Sequence, residues 1–134
     1  MNINCVNCIK RKIYKLINVH LIILNLLDKP GPPEAPEVKD ITKTSSTVQW
    51  QPPKDDGGSP VLGYQLERHL TSSERWIKIN KGTIDGLELK VDDLVEGNEY
   101  EYRVSAENKI GVGPPSSPSA KFTAKDSFGM YYIF

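Results

Sequence analysis

Few residues in this chain carry side chains that could do chemistry, and their spacing argues against most of it. Cys5 and Cys8 form a CxxC, half the ligand set of a structural zinc site. Such a site needs four ligands; no second pair exists, and His20 and His69 complete no recognisable spacing. Asp55 and Asp56 offer carboxylates to a calcium ion, but they stand in the run PPKDDGGSP, where Asp and Gly are turn formers. The acidic spacing of a helix–loop–helix calcium loop is absent. GVGPPS carries two glycines without being a phosphate loop. It follows a strand-like run instead of opening a helix, and Pro114 and Pro115 have no amide hydrogen to offer. Neither histidine has an obvious Ser or Cys partner, and no carboxylate pair stands in an acid–base motif. The expectation is a chain with no catalytic residues, no metal, no cofactor and no small-molecule substrate.

The elements around these residues explain the pattern better. The 134 residues give room for one domain, and Lys plus Arg balance Asp plus Glu at 17 each. That balance gives no reason to expect nucleic acid or acidic lipid as partner. Pro and Gly cluster between short apolar runs, as in a chain with many turns. Seven strands can be read: Ala35–Thr42, Ser46–Gln51, Leu62–His69, Trp76–Asn80, Leu87–Val91, Glu99–Asn108 and Ser119–Ala124. The sixth has the clearest period of two. Tyr100, Tyr102, Val104 and Ala106 share one side; Glu101, Arg103, Ser105 and Glu107 share the other. Such alternation gives each sheet one dry face, so two antiparallel sheets must pack face to face. The expected fold is all-β, an immunoglobulin-like seven-stranded antiparallel β-sandwich.

Four segments are expected. Residues 1–27 contain no Gly, Ala, Pro, Ser, Thr, Asp or Glu, and Lys10, Arg11 and Lys12 precede the apolar stretch Val19–Leu27. Two readings stay open. The residue types are those AT-rich DNA encodes, as a gene model running into an intron would give; a weak secretory signal or anchor also has a basic start and an apolar run. Residues 28–34 read as a Pro-rich linker, 35–126 as the folded domain and 127–134 as an irregular tail. The domain has no cysteine and the chain no Asn-x-Ser/Thr acceptor, which leans towards a reducing, cytoplasmic setting.

The stretch WQPPKDDGGSPVLGYQLER resembles the second and third strands of a fibronectin type III domain. LVEGNEYEYRVSAENKIGVGPPS resembles its fifth-to-sixth corner, sixth strand and following loop. The variants GPP, DDGGSP and AEN-x-x-G-x-GPPS are similar to the repeats of giant muscle proteins of the titin, twitchin and projectin kind. The resemblance implies a structural core of Trp50, Tyr64, Leu66, Leu94, Gly97, Tyr100, Tyr102 and Val104. Within it, Leu94, Gly97 and Tyr100 make a tyrosine corner, with the Tyr100 hydroxyl returning to the backbone near Leu94 and Gly97 leaving space for the turn.

It also implies a spacer and tension-bearing module of a tandem-repeat sarcomeric or cytoskeletal scaffold. Its neighbours would be further fibronectin type III or immunoglobulin-like repeats, and its partners thick-filament proteins such as myosin. A kinase domain elsewhere in such a scaffold would fit, but this chain has no HRD or DFG of its own. Two rival readings stay open: a module of a cell-surface or secreted receptor ectodomain, and an accessory domain of an enzyme. The outward face of the third, fourth and sixth strands should carry Gln65, Glu67, Trp76 or its neighbour, Glu101 and Arg103. There Arg103 is expected to pair with Glu67 and lie against Trp76, either as a solvated surface pair or as a partner-binding patch.

Overall fold

The structure, a computed structural model, describes Lys10, residues 13–18 and residues 26–127. Cys5, Cys8, His20, most of the segment 1–27 and the tail beyond Ser127 lie outside the described residues. Residues 13–18 are helical and exposed, and no helix among the described residues is long and apolar enough to cross a membrane.

Among the described residues, seven strands form two antiparallel sheets. They are β1 (Glu37–Lys39), β2 (Ser46–Gln49), β3 (Gly63–Leu70), β4 (Trp76–Lys78), β5 (Glu88–Val91), β6 (Glu99–Glu107) and β7 (Phe122–Thr123). One sheet has the order β1-β2-β5, the other β4-β3-β6-β7. The dry faces enclose one core, in which Val48, Leu66, Tyr102, Val104 and Ala106 are fully buried and Trp50 is 2% exposed. Tyr64, Leu94 and Tyr100 belong to the same cluster.

The ends of several strands differ from the sequence reading, and the chain shows why. β1 is shorter than Ala35–Thr42, because Pro36 has no amide hydrogen and Asp40 turns into positive φ at 51°. Trp50 lies one residue past the end of β2, though its amide still donates to the Leu87 carbonyl at 3.0 Å. The largest change is at β7, expected from Ser119 and confined to Phe122–Thr123. Before it, Pro114, Pro115 and Pro118 cannot donate to a ladder. Serines replace the ladder there. Ser116 and Ser119 donate their amides to the Val104 and Tyr102 carbonyls at 2.8 and 2.7 Å. Their hydroxyls accept the Val104 and Tyr102 amides at 3.0 and 2.9 Å. The edge of β6 is thereby satisfied without a strand beside it, which also blunts it against pairing with another chain.

Residues 28–34, expected as a linker, are partly built into the sandwich. Pro30 is fully buried, and the Asp28 and Gly31 amides donate to the Gly57 and Asp55 carbonyls, both at 2.8 Å. Gly97 also has a different role from the one expected. A Cβ there would meet nothing within 4 Å, so the residue supplies no space; it supplies φ of +89°, which side-chain-bearing residues rarely adopt. The turn it makes presents the Val95 amide to the Tyr100 hydroxyl at 3.0 Å.

One buried bond ties the two sheets together. The Tyr102 hydroxyl on β6 meets the Ser46 hydroxyl on β2 at 2.8 Å. Tyr102→Phe leaves Ser46 unpaired inside the core and should cost about 1–3 kcal/mol in urea unfolding. Burial pushes the Tyr102 phenol above the ordinary tyrosine value of 10.0, against the smaller lowering pulls of the Ser46 bond and the Arg68 charge. The folded state therefore holds this proton more tightly than the unfolded chain. The stability tied to it is complete below pH 10.0 and is lost as the pH rises from there towards the raised folded value. Part of the alkaline loss of stability should disappear in Tyr102→Phe, read from unfolding midpoints between pH 8 and pH 11.

Candidate interaction face

β3 and β6 run antiparallel through eight residue pairs, and the register decides which side chains meet outside. Tyr64 and Leu66 face Ala106 and Val104 in the core, so Gln65, Glu67 and His69 stand outward opposite Ser105, Arg103 and Glu101. β4 adds Trp76 opposite His69 and Lys78 opposite Glu67.

On this face the Arg103 Nε donates to the Glu67 carboxylate, and its guanidinium carbon sits 4.3 Å from the centre of the Trp76 ring. Sequence reasoning placed those three together and missed a fourth member. The His69 ring stacks on Trp76 with centroids 4.7 Å apart and planes 24° apart. Its Nδ1 lies 2.8 Å from Glu101 Oε1, and its Nε2 contacts the Ser73 carbonyl. The signal was present in the sequence: His69 is two residues beyond Glu67, on the same side of an alternating strand.

The energies of these contacts say what the face is. The Arg103 and Glu67 side chains keep 27% and 29% of their surface in water, and such a pair contributes under about 1 kcal/mol. A half-exposed cation–π contact adds about 0.5–1 kcal/mol. Fold stability therefore does not account for the cluster. Its main physical effect is to fix the positions of a Trp, an Arg and a His on the outer face of the β4-β3-β6-β7 sheet. Arg103 uses Nε on Glu67, and among the described residues its two Nη groups have no hydrogen-bond partner. Trp and Arg are the residue types that most often dominate protein–protein interfaces.

Two other residues singled out for chemistry, Asp55 and Asp56, are used locally. The Asp55 and Asp56 Oδ1 atoms accept the Gly57 and Gly58 amides at 2.9 and 2.8 Å, which closes two consecutive turns.

Comparison with known proteins agrees with this architecture. The family model described as "Fibronectin type III domain" matches residues 31–122. Cardiac-type myosin-binding protein C of Gallus gallus is 45% identical over 101 residues, which is 75% of this chain and 8% of that protein. Among solved structures, domains A168–A170 of titin match with a TM-score of 0.70 at 35% identity, covering 74% of this chain and 33% of that one. The twitchin kinase region of C. elegans matches with a TM-score of 0.68 at 30% identity, covering 73% of this chain and 17% of that one. The chain thus spans less than a tenth of the length of the myosin-binding protein C it matches.

Proposed function

The chain belongs to the fibronectin type III family, and from that premise we propose that it is a non-catalytic repeat of a sarcomeric scaffold, set in the cytoplasm among thick-filament proteins. It spaces its neighbours, bears tension along its length and offers the Trp76–Arg103 face to a protein partner. The observation that carries this reading is where the chain enters and leaves. At one pole, Asp28 and Gly31 bond to Gly57 and Asp55. At the other, the Ala124 carbonyl accepts the Gly97 amide at 2.8 Å and the Ala124 amide donates to Asn98 at 2.9 Å. β6 runs from Glu99 at the second pole to Glu107 near the first, which separates them by about 26 Å at ~3.3 Å per residue. A module held at opposite poles transmits force along its strands and can be strung in series.

The partner proposed is myosin, on the likeness to proteins named for binding it. The Nη groups of Arg103 would take a carboxylate on that partner, with the Trp76 ring as the apolar floor beside it. Co-sedimentation of the full chain with myosin filaments at physiological salt tests this. A saturable bound fraction supports the assignment; no more pelleting than with an inert protein of equal charge removes myosin as the partner.

A further inference from the structure

The N-terminal pole contains a device that the spacer role does not by itself require. Asp28, Lys29, Pro30 and Gly31 lie between two loops, one around Asp55–Gly58 and one around Asn108–Gly113. The Asp28 and Gly31 amides are bonded to the first loop. From the second, the Asn108 side-chain amide donates to the Asp28 carbonyl at 2.7 Å and to the Asp56 carbonyl at 2.8 Å. Asn108 is 2% exposed, so one buried amide joins the segment to both loops.

Glycines shape the slot. A Cβ at Gly57 would run into the Asp28 carbonyl, and a Cβ at Gly113 into the Pro30 carbonyl. A Cβ at Gly111 would touch the Lys29 stem at 3.2 Å. Yet the segment lies outside every strand, and β1 begins only at Glu37. Its hold on the sandwich is a few hydrogen bonds and one buried proline, whereas β3 and β6 share eight paired residues. Two such different holds on one chain should open separately.

We infer that residues 28–31 form a strap that unlocks from the N-terminal pole while the sandwich stays folded, so that the joint entering the domain has a locked and a released state. Locked, the strap fixes the direction in which the chain arrives. Released, it frees the four residues Asp28–Gly31, which reach up to about 14 Å when extended, while Pro33 and Pro36 beyond them stay buried. Its use under load rests on the tension-bearing reading, but its opening can be measured without force.

The test is amide hydrogen exchange by NMR on the full chain, unaltered and as Asn108→Ala and Gly113→Ala. Asn108→Ala removes the donor to Asp28 but also loosens the turn in which Asn108 accepts the Ile110 amide at 2.9 Å. Gly113→Ala leaves those side-chain groups in place and pushes first on the Pro30 backbone. In the unaltered chain the Asp28 and Gly31 amides should be protected, but less than those of Tyr102 and Val104. Each variant should speed Asp28 and Gly31 exchange about 5–30-fold, the effect of one lost buried bond, and leave Tyr102 and Val104 unchanged. The inference is overturned if the strap amides exchange at the core's rate or without protection in the unaltered chain. It is also overturned if the variants leave them unchanged, or accelerate strap and core together. A strap that fails while the core amides stay protected leaves the spacer reading standing.

Discussion

Trp50→Ala should lower the unfolding free energy by about 3–5 kcal/mol, seen as a fall in the urea midpoint. Trp50 is 2% exposed and heads the fully buried side chains by volume; its ring meets the Tyr64 ring edge-on at 5.6 Å. Truncation removes that contact and leaves a cavity between sheets that are pinned elsewhere, by the Ser46–Tyr102 bond among others. Surrounding side chains can close the gap only in part, which is why the upper half of the range is expected. Trp50→Phe should cost clearly less. The Trp50 Nε1 has no hydrogen-bond partner among the described residues, so the smaller ring also removes a buried, unpaired donor. A loss of under 1 kcal/mol in Trp50→Ala would mean that the core is not organised around this residue.

If myosin is the partner, as proposed, Arg103→Glu should strongly weaken binding to myosin filaments while leaving the fold intact. The substitution sets a carboxylate beside Glu67, takes the cation off Trp76 and would repel the carboxylate that Arg103 is proposed to hold. Losing one member of a charge pair at an interface costs about 2–5 kcal/mol, a weakening of thirtyfold or more. Stability should fall by only about 0.5–2 kcal/mol, the sum of an exposed ion pair and a cation–π contact. That separation between binding and stability is what distinguishes a partner face from a merely well-paired surface. Unchanged co-sedimentation of Arg103→Glu would remove this face as the myosin-binding surface.

Much of this architecture is written in local pattern, and the parts that are not have identifiable causes. The period of two in Glu99–Glu107 sorts Tyr100, Tyr102 and Val104 from Glu101 and Arg103 without help from any other strand. The face follows from the same rule applied to β3, which also turns His69 outward; only the stacking of His69 on Trp76 depends on the β3–β4 register, which local pattern does not carry. Strand ends were harder to read. β7 begins late because serine hydroxyls can satisfy β6 where prolines cannot, a substitution that hydrophobic pattern does not register. The Pro-rich start illustrates the same limit. Its composition describes a stiff extended linker equally well, and only the distant Asn108 and Gly113 tie it to the sandwich. Gly97 shows a residue correctly singled out for the wrong reason: its backbone angle matters, not the room it leaves.

The most direct measurement of the central claim is to stretch the full chain from its two ends in an optical trap. A tension-bearing sandwich loaded at opposite poles should hold and then give way in one abrupt main step. About 90 residues at ~3.4 Å each should lengthen the chain by roughly 300 Å. Smooth lengthening from the lowest forces, with no abrupt step, would contradict the claim that this domain carries load.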